Sequence, residues 1–202
     1  MRTSTQQLLS LLLLPLSALA APTGSIEARA CKAVTVIFAR GTGEIGTLGT
    51  VVGPPFLEAL QSTLGSSAVT MTGVDYPADV EGFLEGGDAA GSQTMATMVT
   101  STLASCPKTK IVMSGYSQGG QLVHNAAKLL PAATMSKVSS AVIFGDPDNG
   151  HAVQGVSSAK TDIICHAGDD ICLGGDLILI AHLTYGMDTT AAAAFVKKAA
   201  GL

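Results

Sequence analysis

The sequence has little charge and few aromatic side chains: 13% of its 202 residues are charged, 4% are aromatic and none is tryptophan. A soluble domain usually carries about 25% charged residues, and disordered chains are richer still in charge. Basic residues number 11 against 15 acidic ones, and the longest basic run is Lys197-Lys198. Because nucleic-acid binding requires a basic surface, the composition excludes a nucleic-acid-binding protein as well as a disordered chain.

The chain is instead rich in apolar and small residues, with 47% hydrophobic residues, 23 glycines and four cysteines. Its formal net charge is −4, so it is mildly acidic. A chain of this length usually forms one domain and can bury a sizeable core. We therefore expect a single apolar-rich globular domain.

The first twenty residues have the pattern of a secretory signal peptide. Arg2 is the only charge before Glu27, an apolar block follows at 8–14, and small residues end the segment near Ala20. The block is shorter than the roughly 20 apolar residues that span a membrane, so a signal peptide is favoured over an anchor. We predict a signal peptide at 1–20, a pro-segment or flexible tail at 21–30, and one domain at 31–202. The mature protein is then secreted and extracellular, with no membrane span.

In a secreted chain an even number of cysteines predicts disulfides. The four cysteines are Cys31, Cys106, Cys165 and Cys172. They allow three pairings, of which we favour Cys165 with Cys172 across a short loop and Cys31 with Cys106 across a long one. No Cys-x-x-Cys pair is present, so we expect no metal site.

Short apolar segments alternate with longer helix-like ones along the chain. The predicted strands are Ala33–Phe38, Ala68–Val74, Lys110–Ser114, Ser140–Phe144 and Thr161–Cys165, and the predicted helices are Pro54–Leu64, Gly91–Ala104, Gln118–Leu130 and Thr189–Ala200. The strands are almost continuously apolar, as in a parallel sheet buried on both faces. The alternation predicts a three-layer α/β/α sandwich with little chain left for a cap domain.

The segment from Gly115 to Gly119 is a G-x-S-x-G motif with Ser117 at its centre. It follows an apolar strand and precedes a helix pattern, which is the context of a nucleophile elbow. The sharp turn exposes the hydroxyl at a helix N-terminus, where backbone N–H groups favour a developing oxyanion. Ser117 is thus predicted to be a catalytic nucleophile.

A serine nucleophile needs a base, and in this architecture the order along the chain is serine, acid, histidine. His124 falls on the helix that follows Ser117, His151 falls in a polar loop, and His166 precedes two of the candidate acids. His182 follows every candidate acid and is predicted to be the base. The candidate acids are Asp146, Asp169 and Asp170; spacing favours the last two without separating them, because a short disulfide loop around them would give rigid support.

These residues resemble the fungal cutinase family of serine esterases. The matching segments, in the order of the family, are Phe38–Thr42 with Glu44 and Leu48-Gly49, then Gly115–Gly119, then Cys165-x-x-Gly168-Asp169-x-x-Cys172, then His182-Leu183-x-Tyr185-Gly186. They span nearly all of the predicted mature chain and include all four cysteines. Gly145-Asp146-Pro147 and Gly119-Gly120 also resemble the related acetylxylan esterases, although those usually carry more cysteines.

The resemblance implies a lidless α/β-hydrolase fold with a central five-stranded parallel sheet, and the disulfides Cys31–Cys106 and Cys165–Cys172. It implies that Asp169 is the acid, and that Thr42 and Gln118 form the oxyanion hole. Two positions depart from the family: Thr42 stands where many members carry serine, and Ala181 where a proline often precedes the histidine.

The resemblance also implies a cutin-like polyester or lipid-like ester as substrate, with no cofactor. Phe83, Leu84, Leu177 and Ile178 are candidates for an apolar rim that binds the acyl chain, although Leu177 to Ile180 could equally be core. We expect a monomer that hydrolyses such esters through an acyl-enzyme. Two alternatives remain: an acetylxylan esterase with the same triad, and a non-catalytic secreted protein that binds surfaces through the rim.

Overall fold

Five short apolar strands form the centre of the fold. In the computed structural model they are β1 (Val34–Ala39), β2 (Val69–Gly73), β3 (Lys110–Tyr116), β4 (Val138–Phe144) and β5 (Thr161–Ile164). They make one parallel sheet in the order β2-β1-β3-β4-β5. β1 and β4 are buried along their whole length, as expected for strands covered on both faces. The predicted five-stranded parallel sheet is confirmed.

The structure describes Met1 and residues 31–202. The predicted signal peptide at 1–20 and the predicted segment at 21–30 lie, apart from Met1, outside the described residues. Residues 31–202 form one compact unit, without a separate cap domain among them. None of the helices in this range combines the length and the hydropathy that crossing a membrane requires.

Within residues 31–202, six α-helices pack around the sheet or join its strands. They are α1 (Gly53–Leu64), α2 (Val80–Leu84), α3 (Ala89–Ser105), α4 (Gln118–Leu129), α5 (Ala132–Met135) and α6 (Thr189–Ala200). The four predicted helices are present, but α3 begins two residues earlier because the Asp88 carboxylate accepts the Gly91 N–H at 2.5 Å and caps the helix there. The two short helices, α2 and α5, were not predicted.

The sheet divides the core into two layers, and side chains on each strand alternate between them. Val36 and Phe38 of β1 pack in the layer that includes residues of α1 and α6. Ile37 and Ala39 pack in the other layer, with residues of α3 and α4. This alternation is the period-two pattern of a strand, and it confirms the predicted three-layer sandwich.

Two disulfides close loops of very different length. Cys31 is joined to Cys106, 75 residues away, which links the chain before β1 to the end of α3. Cys165 is joined to Cys172, which closes the loop after β5. This is the pairing that the sequence favours. In the chain-entropy model a closure as long as the first stabilises the fold by about 4 kcal/mol.

Candidate active site

Ser117 occupies a sharp turn between β3 and α4. Its backbone has φ 57° and ψ −125°, a conformation that residues with side chains rarely adopt. Gly115 and Gly119 permit the turn, since a Cβ on Gly115 would overlap the Gly119 carbonyl and a Cβ on Gly119 would overlap the Ala39 carbonyl. The predicted strand–turn–helix context of the motif is confirmed.

His182 and Asp169 form a buried pair beside this turn. His182 Nδ1 lies 2.8 Å from Asp169 Oδ2, and each residue is 1% exposed. Because a carboxylate accepts the Nδ1 proton, the neutral imidazole keeps its lone pair on Nε2. Nε2 is buried and has no hydrogen-bond partner among the described residues. His182 also lines the same cleft as Ser117, so the structure brings these two and Asp169 together.

Asp169 is held in place by groups other than His182. Its Oδ1 accepts the Ile171 N–H at 3.1 Å, and its Oδ2 accepts the Tyr185 hydroxyl at 2.6 Å. The neighbouring carboxylate of Asp170 instead accepts the Leu177 N–H at 3.0 Å. The structure therefore separates the two adjacent aspartates, which spacing did not, and places only Asp169 against His182.

Tyr185 is the largest fully buried side chain that contacts this pair, and sequence reasoning gave it no role. Burial raises the pKa of its phenol above the ordinary value, and the hydrogen bond to Asp169 raises it further. Tyr185 therefore stays a neutral donor to the carboxylate. The only sequence signal was its place three residues after His182 in the segment that resembles the cutinase family.

Tyr116 and Gly145 hold the ring and backbone of His182. The rings of Tyr116 and His182 stack with centroids 5.1 Å apart, and the Tyr116 hydroxyl donates to the His182 carbonyl at 2.9 Å. A Cβ on Gly145 would crowd the rings of His182 and Tyr185. The ring thus has little freedom to turn, and sequence reasoning missed both of these neighbours.

Thr42 and Gln118 meet at the other side of the turn. The Gln118 side-chain amide donates to Thr42 Oγ1 at 2.9 Å and to the Asp79 carbonyl at 2.6 Å. Because Thr42 Oγ1 already accepts this proton, its own O–H is available to donate to another acceptor. Gln118 begins α4 directly after Ser117, so its backbone N–H belongs to the first turn of that helix, where N–H groups lack helical partners.

The loop that carries Thr42 is fixed by Glu44. Its carboxylate accepts the N–H groups of Gly41, Thr50 and Val51 at 2.7 to 2.8 Å. Arg40 is buried, and its guanidinium donates to the Glu44 carbonyl at 2.7 Å and to the Tyr76 carbonyl at 2.7 Å. These bonds anchor both ends of the loop, so Thr42 has a defined position relative to Ser117.

Ser117 and His182 open into a cleft of about 330 Å³ with mostly aliphatic and aromatic walls. Of the residues predicted for the apolar rim, Phe83, Leu84 and Ile178 line it. Leu177 is 59% exposed but is not part of the lining. The segment from Leu177 to Ile180 is exposed rather than core, which decides between the two readings that the sequence allowed.

The other three histidines do not line the cleft of Ser117 and His182. His124 is buried on α4, where its Nε2 lies 2.9 Å from Asp146 Oδ2. Asp146 also accepts the Asp148 N–H at 3.0 Å, so it bonds its own turn as one interpretation of the sequence expected. His151 is exposed, and His166 lies at the end of β5.

Comparison with known proteins identifies the family. A family model described as Cutinase matches residues 30–200. The chain is 84% identical over 202 residues to a cutinase of Botryotinia fuckeliana, and 73% identical over 201 residues to a cutinase of Monilinia fructicola; both alignments cover 100% of each chain. The structure of Trichoderma reesei cutinase in complex with a C11Y4 phosphonate inhibitor is 52% identical, with a TM-score of 0.81 over 84% of this chain and 77% of that chain. The matched family model, the two full-length relatives and the shared fold agree, and the chain belongs to the cutinase family of carboxylic ester hydrolases.

Proposed function

We propose that this serine esterase hydrolyses cutin-like polyesters and fatty-acid esters with Ser117 as nucleophile, His182 as base and Asp169 as the acid that orients the base. The observation that carries the proposal is the His182–Asp169 pair. The carboxylate holds Nδ1, and Nε2 is left without a partner in the cleft that Ser117 also lines. A ring held in this way can take a proton from a serine hydroxyl.

The reaction proceeds through an acyl-enzyme. Ser117 Oγ attacks the ester carbonyl carbon while His182 Nε2 takes its proton, and Asp169 stabilises the imidazolium that results. The tetrahedral intermediate expels the alcohol, which receives the proton from Nε2. A water molecule then attacks the acyl-enzyme with His182 again as base, releasing the acid and restoring Ser117.

Thr42 and Gln118 serve as the oxyanion hole in this proposal. The Thr42 hydroxyl and the backbone N–H groups of Thr42 and Gln118 are its donors. Support comes from the bond between the Gln118 amide and Thr42 Oγ1, which leaves the Thr42 proton free for the oxyanion. Loss of one such donor typically costs about 3 kcal/mol of transition-state stabilisation.

An apolar acyl or alkyl chain suits the cleft. Its lining contains Val51, Val80, Phe83, Ile178 and Leu183, and among the described residues the acidic side chains that line it are Glu44 and Asp176. Several of its aliphatic lining residues are also exposed: Val80, Leu84, Ile178 and Leu183. Large exposed apolar areas usually mark a binding surface. The relatives named cutinase favour a polyester as the partner of this surface.

We infer that the protein is secreted and acts as a monomer. Two disulfides suit an oxidising compartment, and the predicted signal peptide would deliver the chain to one. Ser117, His182 and Asp169 all come from one chain and meet without a second copy.

The test is a series of nitrophenyl esters from acetate to long acyl chains, together with a fluorophosphonate probe that labels activated serines. We expect turnover of butanoate and longer esters at least as fast as acetate, and labelling that Ser117→Ala abolishes. A steep preference for acetate would favour the acetylxylan esterase alternative. Failure of the wild-type protein to react with the probe would contradict the serine mechanism.

A further inference from the structure

His166 is the one histidine near the site to which the mechanism gives no task. It follows Cys165 directly at the end of β5, and its ring stacks on Tyr185 with centroids 4.1 Å apart. Its Nε2 lies 2.7 Å from Asp188 Oδ2, in front of α6. Its Nδ1 lies 3.0 Å from the Ala181 carbonyl and 3.0 Å from Thr184 Oγ1. A single side chain thus contacts four residues of the stretch 181–188, which contains His182.

The contacts of His166 indicate which ring nitrogen donates to the turn of His182. The Ala181 carbonyl oxygen can only accept, so the bond between them requires a proton on Nδ1. The Thr184 hydroxyl donates to the Ala181 carbonyl at 2.9 Å, which leaves its oxygen as a second acceptor for Nδ1. Both ring nitrogens of His166 thus lie against oxygen atoms, and its face lies against the ring of Tyr185.

We propose that His166 is a positioning residue that sets the place of the catalytic base. This inference rests on the proposed function, in which His182 is that base. Ala181 precedes His182 in the 3₁₀ turn Ile180–Leu183, and the bond from Nδ1 to the Ala181 carbonyl ties this turn to the end of β5. Alanine leaves its own φ free where a proline would fix it, so a hydrogen bond supplies the restraint.

His166 also reaches the triad acid by a second route. Its backbone N–H donates to the Tyr185 hydroxyl at 2.9 Å, and that hydroxyl donates to Asp169 Oδ2. The stacked ring keeps Tyr185 under the carboxylate. Substitution of the side chain by alanine retains the backbone N–H bond but removes the stack on Tyr185 and the bond to the Ala181 carbonyl. The expected effect is a displaced His182 ring, and a shift of 1 Å at a reacting group can cost about 100-fold in rate.

Three substitutions separate positioning from simple stability. His166→Ala removes the stack on Tyr185 and the contacts of both ring nitrogens. Because asparagine places a donor near the position of Nδ1, His166→Asn keeps a bond to the Ala181 carbonyl and loses Asp188. Glutamine places a donor near Nε2, so His166→Gln keeps Asp188 and loses Ala181. His151→Ala is the matched control, since His151 is an exposed loop histidine outside the cleft lining.

The measurements are kcat and KM on a soluble nitrophenyl ester, the rate of fluorophosphonate labelling, and Tm. We expect H166A to lower kcat and the labelling rate about tenfold or more with KM nearly unchanged, because the cleft walls are intact. H166N should recover most of the lost kcat and H166Q should not. H151A should match the wild-type enzyme in every readout.

Several outcomes would overturn the proposal. If H166A lowers kcat no more than H151A does, or lowers Tm alone, His166 only supports the fold. If H166Q recovers kcat as fully as H166N does, the bond to the Ala181 carbonyl is not specifically required and the proposal is wrong. Should H166A fail to fold, the comparison of H166N with H166Q still decides. Failure of the proposed function is distinct from these, since the wild-type enzyme itself would then not react with the probe.

Discussion

Two buried histidine–aspartate pairs occur among the described residues, and in our proposal only one of them, His182–Asp169, is catalytic. His182 and Asp169 are 2.8 Å apart, His124 and Asp146 are 2.9 Å apart, and all four residues are at most 2% exposed. The pairs differ in the nitrogen that the carboxylate occupies. Asp169 takes Nδ1 of His182, whereas Asp146 takes Nε2 of His124.

The location of the two pairs differs as well. His182 lies in the 3₁₀ turn Ile180–Leu183 and lines the cleft beside Ser117, while His124 lies in the middle of α4 and is absent from the lining. The same two residue types are therefore suited to different roles, proton transfer in one pair and structural support in the other. A histidine with Nε2 free in a cleft can move a proton, whereas one with Nε2 bonded to a buried carboxylate ties a helix to the strand end beneath it.

Replacing the two histidines gives the largest expected contrast. His182→Ala should lower kcat about a million-fold, because a triad without its base retains only binding and oxyanion stabilisation. His124→Ala should leave kcat per folded molecule near the wild-type value. Both are measured on nitrophenyl butanoate, with the folded fraction taken from circular dichroism. Comparable losses in the two variants would erase the distinction between the pairs.

Replacing the two aspartates gives the next contrast. Asp169→Asn should lower kcat about 10⁴-fold, because an amide in place of the carboxylate favours the wrong tautomer of His182. Asp146→Asn should leave kcat unchanged in the folded protein. The same ester assay measures both. A large loss in the Asp146 variant would mean that the acid of the triad has been misassigned.

For the free energy of unfolding we expect the opposite order, with a larger loss for His124→Ala than for His182→Ala. His124→Ala leaves Asp146 Oδ2 buried without its partner, while Oδ1 keeps the Asp148 N–H, and should lower the free energy of unfolding by about 3 kcal/mol. His182→Ala should cost less, because Asp169 keeps the Tyr185 hydroxyl and the Ile171 N–H. Urea denaturation of both variants measures the difference. Equal urea midpoints for the two variants would show that the His124–Asp146 pair does not stabilise the packing of α4.

The smallest expected effect is the pH dependence of stability that the tyrosines contribute. Tyr185 contacts the His182–Asp169 pair through its bond to Asp169. Burial raises the pKa of all three tyrosines of the chain, Tyr76, Tyr116 and Tyr185, above the ordinary value. The folded state thus favours the neutral phenols. Their contribution to stability is complete below the unfolded value of about 10 and is lost as pH rises through the higher folded values.

Titration of the phenolate absorbance near 295 nm checks this. We expect no step near pH 10 while the protein is folded, and phenolate absorbance only together with loss of the near-ultraviolet circular dichroism. Tyr185→Phe should reduce the total amplitude by one phenolate in three. A step of one or more tyrosines at about pH 10 in the folded protein would contradict the burial of these groups.

Much of the fold and the chemistry could be predicted from the sequence. The five strands are nearly continuous apolar runs, so their number and parallel arrangement followed from the pattern. The turn at Ser117 was recognisable because glycines at 115 and 119 are needed where backbone passes close by. The choice between the adjacent Asp169 and Asp170 could not be made from spacing. The family resemblance favoured Asp169, and the structure places Asp169 against His182.

What the sequence determined by itself is the set of local requirements: buried strands, a glycine-flanked serine, and a histidine that follows the acids along the chain. The tertiary structure alone decided which atoms face each other. It paired Nδ1 of His182 with Asp169 and Nε2 of His124 with Asp146, and it placed Tyr185, Tyr116 and His166 around His182. The reason is that periodicity and turn chemistry depend on neighbours in sequence, whereas the choice of ring nitrogen depends on how separate loops pack at one edge of the sheet.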